Sequence, residues 1–99
     1  MSVLIHPETL TITTSSGDAS ANTQNIMGIC YNMLIKPATE TTTYSISITS
    51  PSGIEVYERI SETGTLSELL VLPVRGVYTV TIEDATADEL FTIQLIIKE

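Results

Sequence analysis

Two stretches near the C-terminus of the chain alternate between apolar and polar residues with a period of two. The apolar residues are Tyr78, Val80 and Ile82 in the first stretch and Phe91, Ile93, Leu95 and Ile97 in the second. Such alternation puts the apolar side chains on one face of an extended strand, whereas a helix needs them three and four residues apart. An acidic, turn-rich segment, residues 83–89, separates the two stretches. We therefore expect residues 75–98 to form an antiparallel strand pair whose apolar face lies in the core.

The same period recurs along the rest of the chain. Further strands are predicted at residues 9–14, 26–35, 43–49, 54–59 and 69–72. The residues expected to face the core are Tyr44, Ile46 and Ile48, followed by Ile54 and Val56 on the returning strand of a hairpin. Ser50 and Gly53 begin and end the type I turn of that hairpin, and Pro73 is expected to make the last of these strands brief or place it at a sheet edge. Seven or eight short strands predict an all-β fold, an antiparallel β-sandwich that is Ig-like or jelly-roll-like.

The predicted strand at residues 26–35 is apolar on both faces. One face is expected to carry Met27, Ile29, Tyr31, Met33 and Ile35, and the other Ile26, Cys30 and Leu34. Such a strand is either central and covered on both sides, or covered by the core on one side and by another chain on the other. Cys30, the only cysteine, excludes an internal disulfide and is interpreted as a small core residue.

The first eight residues are interpreted as an extended N-terminal arm or edge strand, followed by a single β-sandwich domain at residues 9–99. Pro7 restricts the residue before it to extended conformations, which suits either form. The apolar residues Val3, Leu4 and Ile5 are predicted to contact a partner chain. Packing against their own domain is the alternative.

The chain has the length of one domain, 99 residues, and is strongly acidic. Four Lys+Arg stand against 12 Asp+Glu, for a formal net charge of −8. Nucleic acid and anionic membrane surfaces would be repelled, so neither is expected as a partner. No apolar run approaches the roughly 20 residues of a membrane helix, and residues 1–8 lack the basic start of a signal peptide. The acidity serves solubility or complements a basic patch on a protein partner.

No pattern typical of catalysis or cofactor binding is found in the sequence. His6 is the only histidine and no G-x-S-x-G motif is present, so a hydrolase triad lacks its partners. One cysteine and one histidine do not make a tetrahedral zinc site. Residues 83–89 lack the EF-hand spacing, so a solvated turn is favoured over a calcium site. We expect a protein that is not an enzyme and that uses no metal or cofactor.

Tyr57 stands apart from the other aromatic residues of the predicted strands. Those assigned to core faces are Tyr44, Tyr78 and Phe91. Tyr57 falls on the opposite side of its strand from Ile54 and Val56, which predicts a surface position. It is therefore a candidate residue for contact with a partner, either a protein or a carbohydrate.

Two segments carry a resemblance to a known class of proteins. Residues 36–60, KPATETTTYSISITSPSGIEVYERI, and residues 72–99, LPVRGVYTVTIEDATADELFTIQLIIKE, resemble small β-sandwich virion proteins of tailed bacteriophages. Such proteins decorate or cement the capsid shell or sit at the neck. The resemblance implies a structural virion protein that binds the major capsid protein or another virion protein. It also implies a homo-oligomer located in the virion and assembled in the host cytoplasm.

A second resemblance leads to an alternative function. The S-P-S-G turn between two strands and the later G-V-Y-T-V strand are similar to accessory β-sandwich modules of secreted bacterial enzymes. This resemblance implies a non-catalytic module that binds carbohydrate or a cell surface. Tyr57 and loop residues are the candidates for such binding.

Overall fold

The computed structural model describes residues 5–99, which form eight β-strands. The strands are β1 (Ile5–Thr13), β2 (Ala19–Asn22), β3 (Ile26–Pro37), β4 (Thr43–Thr49), β5 (Glu55–Thr63), β6 (Leu66–Gly76), β7 (Thr79–Glu83) and β8 (Leu90–Lys98). Within this part of the chain there is no helix long and apolar enough to cross a membrane. The predicted all-β fold class is confirmed.

The strands form two four-stranded antiparallel sheets that pack as a sandwich. Sheet I has the order β1-β8-β3-β6 and sheet II the order β2-β7-β4-β5. Nested pairs of strands, first with last and inward from there, build both sheets: β1 with β8, β2 with β7, β3 with β6 and β4 with β5. Eight strands paired in this way over two sheets are a jelly roll. Of the two β-sandwich topologies that the sequence left open, this is the one observed.

The core lies between the inner faces of the two sheets and contains the residues that the alternation predicted. The ten predicted core residues of β4, β8, β7 and the residue just before β7, Tyr78, are all buried. The rings of Tyr44 on sheet II and Phe91 on sheet I meet edge to face, with centroids 5.1 Å apart and planes at 74°. Aromatic pairs prefer this geometry. The contact therefore stabilises the packing of one sheet against the other.

The prediction that residues 75–98 form an antiparallel strand pair is wrong. β7 pairs with β2 and β4 in sheet II, whereas β8 pairs with β1 and β3 in sheet I. The segment between them crosses from one sheet to the other, and the backbone N–H of Thr86 donates to the carbonyl oxygen of Thr43 on the way. A period of two tells which residues share a face, but it does not tell which strand lies alongside.

The two predicted faces of the 26–35 strand are also wrong, because β3 contains a bulge at Tyr31. Cys30 lies opposite Ile97 of β8, and Asn32 lies opposite Ile96, so β3 has one residue more than β8 at this point. The extra residue reverses the alternation. The buried residues are Ile26 and Cys30 before the bulge and Met33, Ile35 and Pro37 after it. A register change of one residue moves every later side chain to the other face.

A second bulge overturns the predicted faces of β5. Ile48 lies opposite Tyr57, and the next residue of β4, Thr49, lies opposite Glu55. Val56 is therefore an extra residue, and the strand changes its phase there. Ile54, predicted to lie in the core, is 63% exposed, and Val56 is exposed too.

The two edge strands of sheet I, β6 and β1, include residues beyond their predicted bounds. β6 runs through Pro73 to Gly76, so of the two predicted alternatives, a brief strand or a strand at a sheet edge, the second is the one observed. An edge strand tolerates proline because one row of its N–H groups has no strand to bond. At the other edge β1 begins at Ile5, so the predicted boundary between residues 1–8 and 9–99 falls inside a strand.

Candidate docking surface

The outward face of sheet II is polar and rich in hydroxyl groups on three of its strands, β2, β7 and β4. Its side chains include Ser20 and Asn22 on β2, Thr79 and Thr81 on β7, and Ser45, Ser47 and Thr49 on β4. They alternate with the buried apolar residues of the same strands, or in β2 with half-buried alanines. Antiparallel sheets with one face on the core and one in water show this pattern. The outward face of β2, β7 and β4 therefore suits contact with solvent, whereas β5 also exposes the apolar residues Val56 and Ile60.

The outward face of sheet I differs because its β3 and β6 half is mostly apolar, with Asn32 and Ser67 among its polar residues. We name this region the apolar strip; its members are Met27, Ile29, Leu34, Leu69, Val71, Pro73 and Ile96. Leu69 is 84% exposed and Val71 is 76% exposed. On the β1 side of the same face the residues Thr9, Thr11 and Thr13 are exposed and polar. A contiguous exposed apolar region next to a polar one is typical of an interaction site.

A groove of about 630 Å³ opens at one end of the apolar strip. Its lining residues are Met27, Gly28, Ile29, Tyr31, Val74, Arg75, Lys98 and Glu99. Lys98 Nζ lies 4.6 Å from the centre of the Tyr31 ring, within the range of a cation–π contact. The backbone N–H of Arg75 donates to Tyr78 Oη at 3.1 Å, which anchors Arg75 to the core. The groove therefore joins apolar walls to two basic residues, Arg75 and Lys98, and one acidic residue, Glu99.

Gly28 makes the floor of this groove possible. Its φ angle is +137°, and a Cβ there would lie 2.3 Å from the carbonyl oxygen of Lys98. No real Cβ sits so close to a backbone atom, so only glycine allows β3 to approach β8 at this point. The same close approach of β3 to β8 places the Lys98 side chain near Tyr31 on β3.

Tyr57 is not at the surface as predicted. Its ring is half-buried and packs against the core, because the bulge at Val56 turns it inward. Its hydroxyl oxygen is buried and has no hydrogen-bond partner among the described residues. Burial, together with the charge of Glu68, raises the pKa of Tyr57 to about 12. No aromatic platform for a ligand is formed by this residue.

The predicted contact residues of the N-terminus are only partly within the described chain. Val3 and Leu4 lie outside the described residues. Ile5 is the first residue of β1 and stands opposite Lys98, one of the residues that line the groove. Their role as contact residues stays a prediction.

Sequence reasoning missed the most exposed residues of the apolar strip, Leu69 and Val71. A signal was present, because residues 69–72 form an unbroken apolar run within a predicted strand. Alternation within that run turns Leu70 and Leu72 toward the core and leaves the other two outside. An apolar run at a sheet edge therefore predicts an uncovered apolar face as well as a buried one.

The acidic turn serves as a structural connection between two loops. The Asp88 carboxylate accepts hydrogen bonds from the backbone N–H groups of Ser16 and Gly17, at 3.1 and 2.9 Å. Asp18 Oδ1 accepts from the N–H of Asp84 at 3.1 Å. No group of three or more possible metal ligands occurs within residues 5–99. Charge-assisted bonds to backbone N–H groups give these carboxylates a role without a metal.

Cys30 occupies the core position that the sequence predicted. The side chain is buried, and desolvation raises the pKa of its thiol. Its Sγ donates a weak hydrogen bond to the carbonyl oxygen of Asn32 at 3.5 Å. A buried thiol with a raised pKa is a poor nucleophile.

Comparisons with known proteins do not assign the chain to a family. The sequence matches no protein-family model and no curated protein. The solved structures that resemble the chain include PliG of Aeromonas hydrophila, a periplasmic lysozyme inhibitor of g-type lysozyme; TmCBM61 in complex with β-1,4-galactotriose; and the enzymatically active domain of bacteriophage CBA120 tailspike protein 4.

The similarities are of low identity. PliG has a TM-score of 0.46 at 10% identity, over 98% of this chain and 86% of that chain. TmCBM61 has a TM-score of 0.46 at 11% identity, over 98% of this chain and 69% of that chain. The tailspike domain has a TM-score of 0.39 at 14% identity, over 97% of this chain and 17% of that chain. Residues 5–99 themselves define a jelly-roll β-sandwich with an apolar strip on the outward face of sheet I.

Proposed function

We propose that the protein is a structural virion protein that binds and stabilises a bacteriophage capsid shell, as a decoration or cement protein. The observation that carries this proposal is the apolar strip on the outward face of sheet I. The sequence of β3 is apolar on both faces. The core covers one of these faces, and the other is left uncovered and forms part of the strip. The proposed partner is the major capsid protein or another virion protein.

The energetics of the strip favour a protein surface as its cover. Burying a leucine or valine side chain contributes about 1.5–3 kcal/mol, and Leu69 and Val71 are almost fully available for burial. Association costs an estimated 4–15 kcal/mol in lost freedom, so one strip alone gives a weak link. A homo-oligomer that presents several strips to a repetitive shell gains avidity without new contacts. We therefore propose a homo-oligomer as the form that binds.

Charge supports a protein partner over nucleic acid or membrane. The formal net charge of −8 disfavours both polyanions. The outward face of sheet II, with its hydroxyl side chains, would then point away from the shell into water. The proposed location is the virion, after assembly in the host cytoplasm.

We also propose that the protein has no enzymatic activity. Residues 5–99 contain no cluster of metal-ligating side chains, and the one thiol is buried. The surface features that are present, an apolar strip and a hydroxyl-lined face, suit binding. Nucleophilic catalysis needs an activated nucleophile with a base beside it.

The proposal is tested by binding to purified empty capsids of the same virus. Leu69→Lys and Val71→Lys place charges in the apolar strip without touching the core, and both are expected to abolish capsid binding. Ile60→Lys on β5 is the matched control, because Ile60 is 66% exposed but belongs to sheet II. Capsid binding that survives in both strip variants, or that is lost equally in the control, would contradict a docking role for the strip.

The N-terminal residues are tested separately. Deleting residues 1–8 would also remove Ile5–Glu8 of β1, so a loss of binding would have two explanations. Deleting residues 1–4 alone leaves the described part of the strand intact. Unchanged capsid occupancy after this shorter deletion would contradict a contact role for Val3 and Leu4.

A glycan array distinguishes the alternative function, a carbohydrate- or cell-surface-binding module. That alternative depended on an exposed Tyr57, whose ring packs against the core instead. Binding to capsids without binding to glycans is the expected result. Saturable binding to a glycan, lost in a Tyr57→Ala variant, would favour the module.

A further inference from the structure

The groove at the end of the apolar strip is lined by two cationic residues and one acidic residue, Glu99, on a protein that is acidic as a whole. Two of the chain's four Lys+Arg residues, Arg75 and Lys98, line it, whereas the whole chain has 12 Asp+Glu. Among residues 5–99, Arg75 forms no ion pair, in contrast to Arg59, which binds Glu68 at 2.8 Å and lies 3.6 Å from Glu62. The guanidinium of Arg75 is therefore available for a group from outside the described chain.

Each of the two cations stands beside an aliphatic side chain. Met27 lies opposite Arg75 in the pairing of β3 with β6, and Ile29 lies opposite Lys98 in the pairing of β3 with β8. Met27 is an adaptable side chain that fits partners of different shape. The arrangement offers an apolar contact and a charged contact side by side, twice along one groove.

The backbone holds these groups in place before any partner arrives. Tyr78 Oη accepts a hydrogen bond from the N–H of Arg75 at 3.1 Å. The next residue, Gly76, has a φ of +109°, and a Cβ there would lie 2.8 Å from Pro51 Cγ. On the other side, Gly28 lets β3 approach the carbonyl oxygen of Lys98. A site with little freedom to lose on binding gains affinity from its rigidity.

We propose that this groove binds a peptide segment of the partner protein that presents a carboxylate beside an aliphatic side chain. A planar guanidinium pairs with a carboxylate through two parallel hydrogen bonds, and the Lys98 ammonium adds a second positive charge. The aliphatic side chain of the peptide packs on Met27, Ile29 and Val74. The volume of about 630 Å³ is within the roughly 300–1,000 Å³ of ligand pockets.

The groove is less suited to a sugar acid, although such a ligand also carries a carboxylate. Stacking on a sugar ring needs an open aromatic face, and the face of Tyr31 is occupied by Lys98 Nζ at 4.6 Å. Apart from the charged residues Arg75 and Glu99, the remaining walls are apolar. The chemistry of the walls therefore favours a peptide.

The net charge restricts the kind of surface in which the carboxylate is embedded. A strongly acidic partner would be repelled by the charge of −8 before contact. At physiological salt this repulsion is screened beyond about 8 Å, whereas a contact pair inside a groove is screened much less. The expected segment carries one or two carboxylates on an otherwise neutral or basic partner surface.

The inference rests on the proposed docking function and names the chemistry of its partner segment. Amide NMR spectra of the full chain are recorded during titration with acetyl-Leu-Glu-Leu-amide and, separately, with acetyl-Leu-Gln-Leu-amide. We expect saturable shifts at Gly28, Ile29 and Arg75 with the Glu peptide, and binding about ten- to hundredfold weaker with the Gln peptide. Arg75→Glu and Lys98→Glu are expected to remove the binding.

Lys36→Glu is the matched control for these charge reversals. Lys36 is an exposed lysine on the same outward face but at the far end of β3. It is expected to leave binding unchanged. Circular dichroism and unfolding curves of all three variants establish that each is folded.

Four results would overturn the inference. They are equal affinity for the Glu and Gln peptides, no saturable shift with either peptide, tighter binding of galacturonate than of the Glu peptide, and a dimer of the free protein that Arg75→Glu dissolves. Capsid binding separates this inference from the docking function. If Leu69→Lys abolishes capsid binding and Arg75→Glu leaves it unchanged, the docking function stands and the groove assignment fails. If neither variant affects capsid binding, both fail.

Discussion

The backbones of Gly28 on β3 and Lys98 on β8 pack closely against each other at the end of sheet I. A Cβ on Gly28 would lie 2.3 Å from the Lys98 carbonyl oxygen, and the φ angle of +137° is itself unfavourable for any other residue. We expect Gly28→Ala to lower the free energy of unfolding by about 2–4 kcal/mol, because strain and overpacking add. Urea unfolding curves measure the loss.

Gly53 provides the control for this substitution. It has a φ of +85°, but no atom lies within 4 Å of its absent Cβ. Gly53→Ala should therefore lower the free energy of unfolding only through its unfavourable backbone conformation, by about 1 kcal/mol. Similar losses in the two variants would mean that the close approach to Lys98 contributes nothing to stability.

Tyr44 and Tyr57 form a natural pair for testing buried hydroxyl groups. Tyr44 Oη donates to the carbonyl oxygen of Gly64 at 2.7 Å, whereas the Tyr57 hydroxyl is buried without a partner among the described residues. Tyr44→Phe leaves a buried carbonyl oxygen unpaired and is expected to cost about 1–3 kcal/mol. Tyr57→Phe removes an unpaired polar group and is expected to be neutral or stabilising. Thermal unfolding of both variants measures the difference, and a larger loss in Tyr57→Phe would contradict it.

The jelly-roll strands themselves were largely predictable, but their partners and some of their faces were not. Alternation identified the buried residues of β4, β7 and β8. None of these strands contains an extra residue that would reverse which side chains face the core. It failed at Tyr31 and Val56, where one extra residue reverses the phase of the strand. Nothing in the residue types marks either position, because a bulge is defined by the register with a neighbouring strand, which one strand's sequence does not contain.

The candidate site was predictable only in its general position. The doubly apolar sequence of residues 26–35 indicated a strand with one uncovered face, and the outward side of β3 is part of the apolar strip. The most exposed members, Leu69 and Val71, come from β6, which is distant in sequence. Arg75 and Lys98 meet at the groove through two different strand pairings. Long-range pairing of this kind follows from the whole topology rather than from any local pattern.

Stability at alkaline pH should depend on the buried tyrosines. Desolvation is the main cause that raises the pKa of Tyr44 from 10 to about 12. An acid whose pKa is higher in the folded state contributes stability that is fully present below the unfolded pKa. For Tyr44 this contribution is complete below pH 10 and is lost as the pH rises through about 12.

Unfolding curves at increasing pH, followed by circular dichroism, test this dependence. Wild type is expected to lose stability across that window together with a rise of tyrosinate absorbance. The double variant Tyr44→Phe, Tyr57→Phe should lose less stability over the same pH window, because both tyrosines with a raised pKa have been replaced. Equal slopes in the two proteins would show that other groups govern the alkaline transition.

The loop joined by Asp88 is expected to be independent of calcium. Its carboxylate oxygens already accept hydrogen bonds from the N–H groups of Ser16 and Gly17. Asp88→Ala should lower the free energy of unfolding by about 1–3 kcal/mol, because it leaves backbone donors without their charged acceptor. The melting temperature of the wild type should be the same with calcium and with a chelator. A calcium-dependent rise in melting temperature that Asp88→Ala removes would contradict the structural role.

Neighbouring positions of β6 separate binding from folding. Leu69 is 84% exposed, whereas Leu70 is half-buried and packs against the core. Leu69→Lys is expected to change the free energy of unfolding by no more than about 0.5 kcal/mol, as surface substitutions usually do. Leu70→Lys should cost about 1–3 kcal/mol, because it brings a charge to the margin of the core. Urea unfolding of both variants, measured beside their capsid binding, checks the distinction. A strongly destabilised Leu69→Lys would mean that the outward residues of β6 support the fold, and its loss of capsid binding would then say nothing about docking.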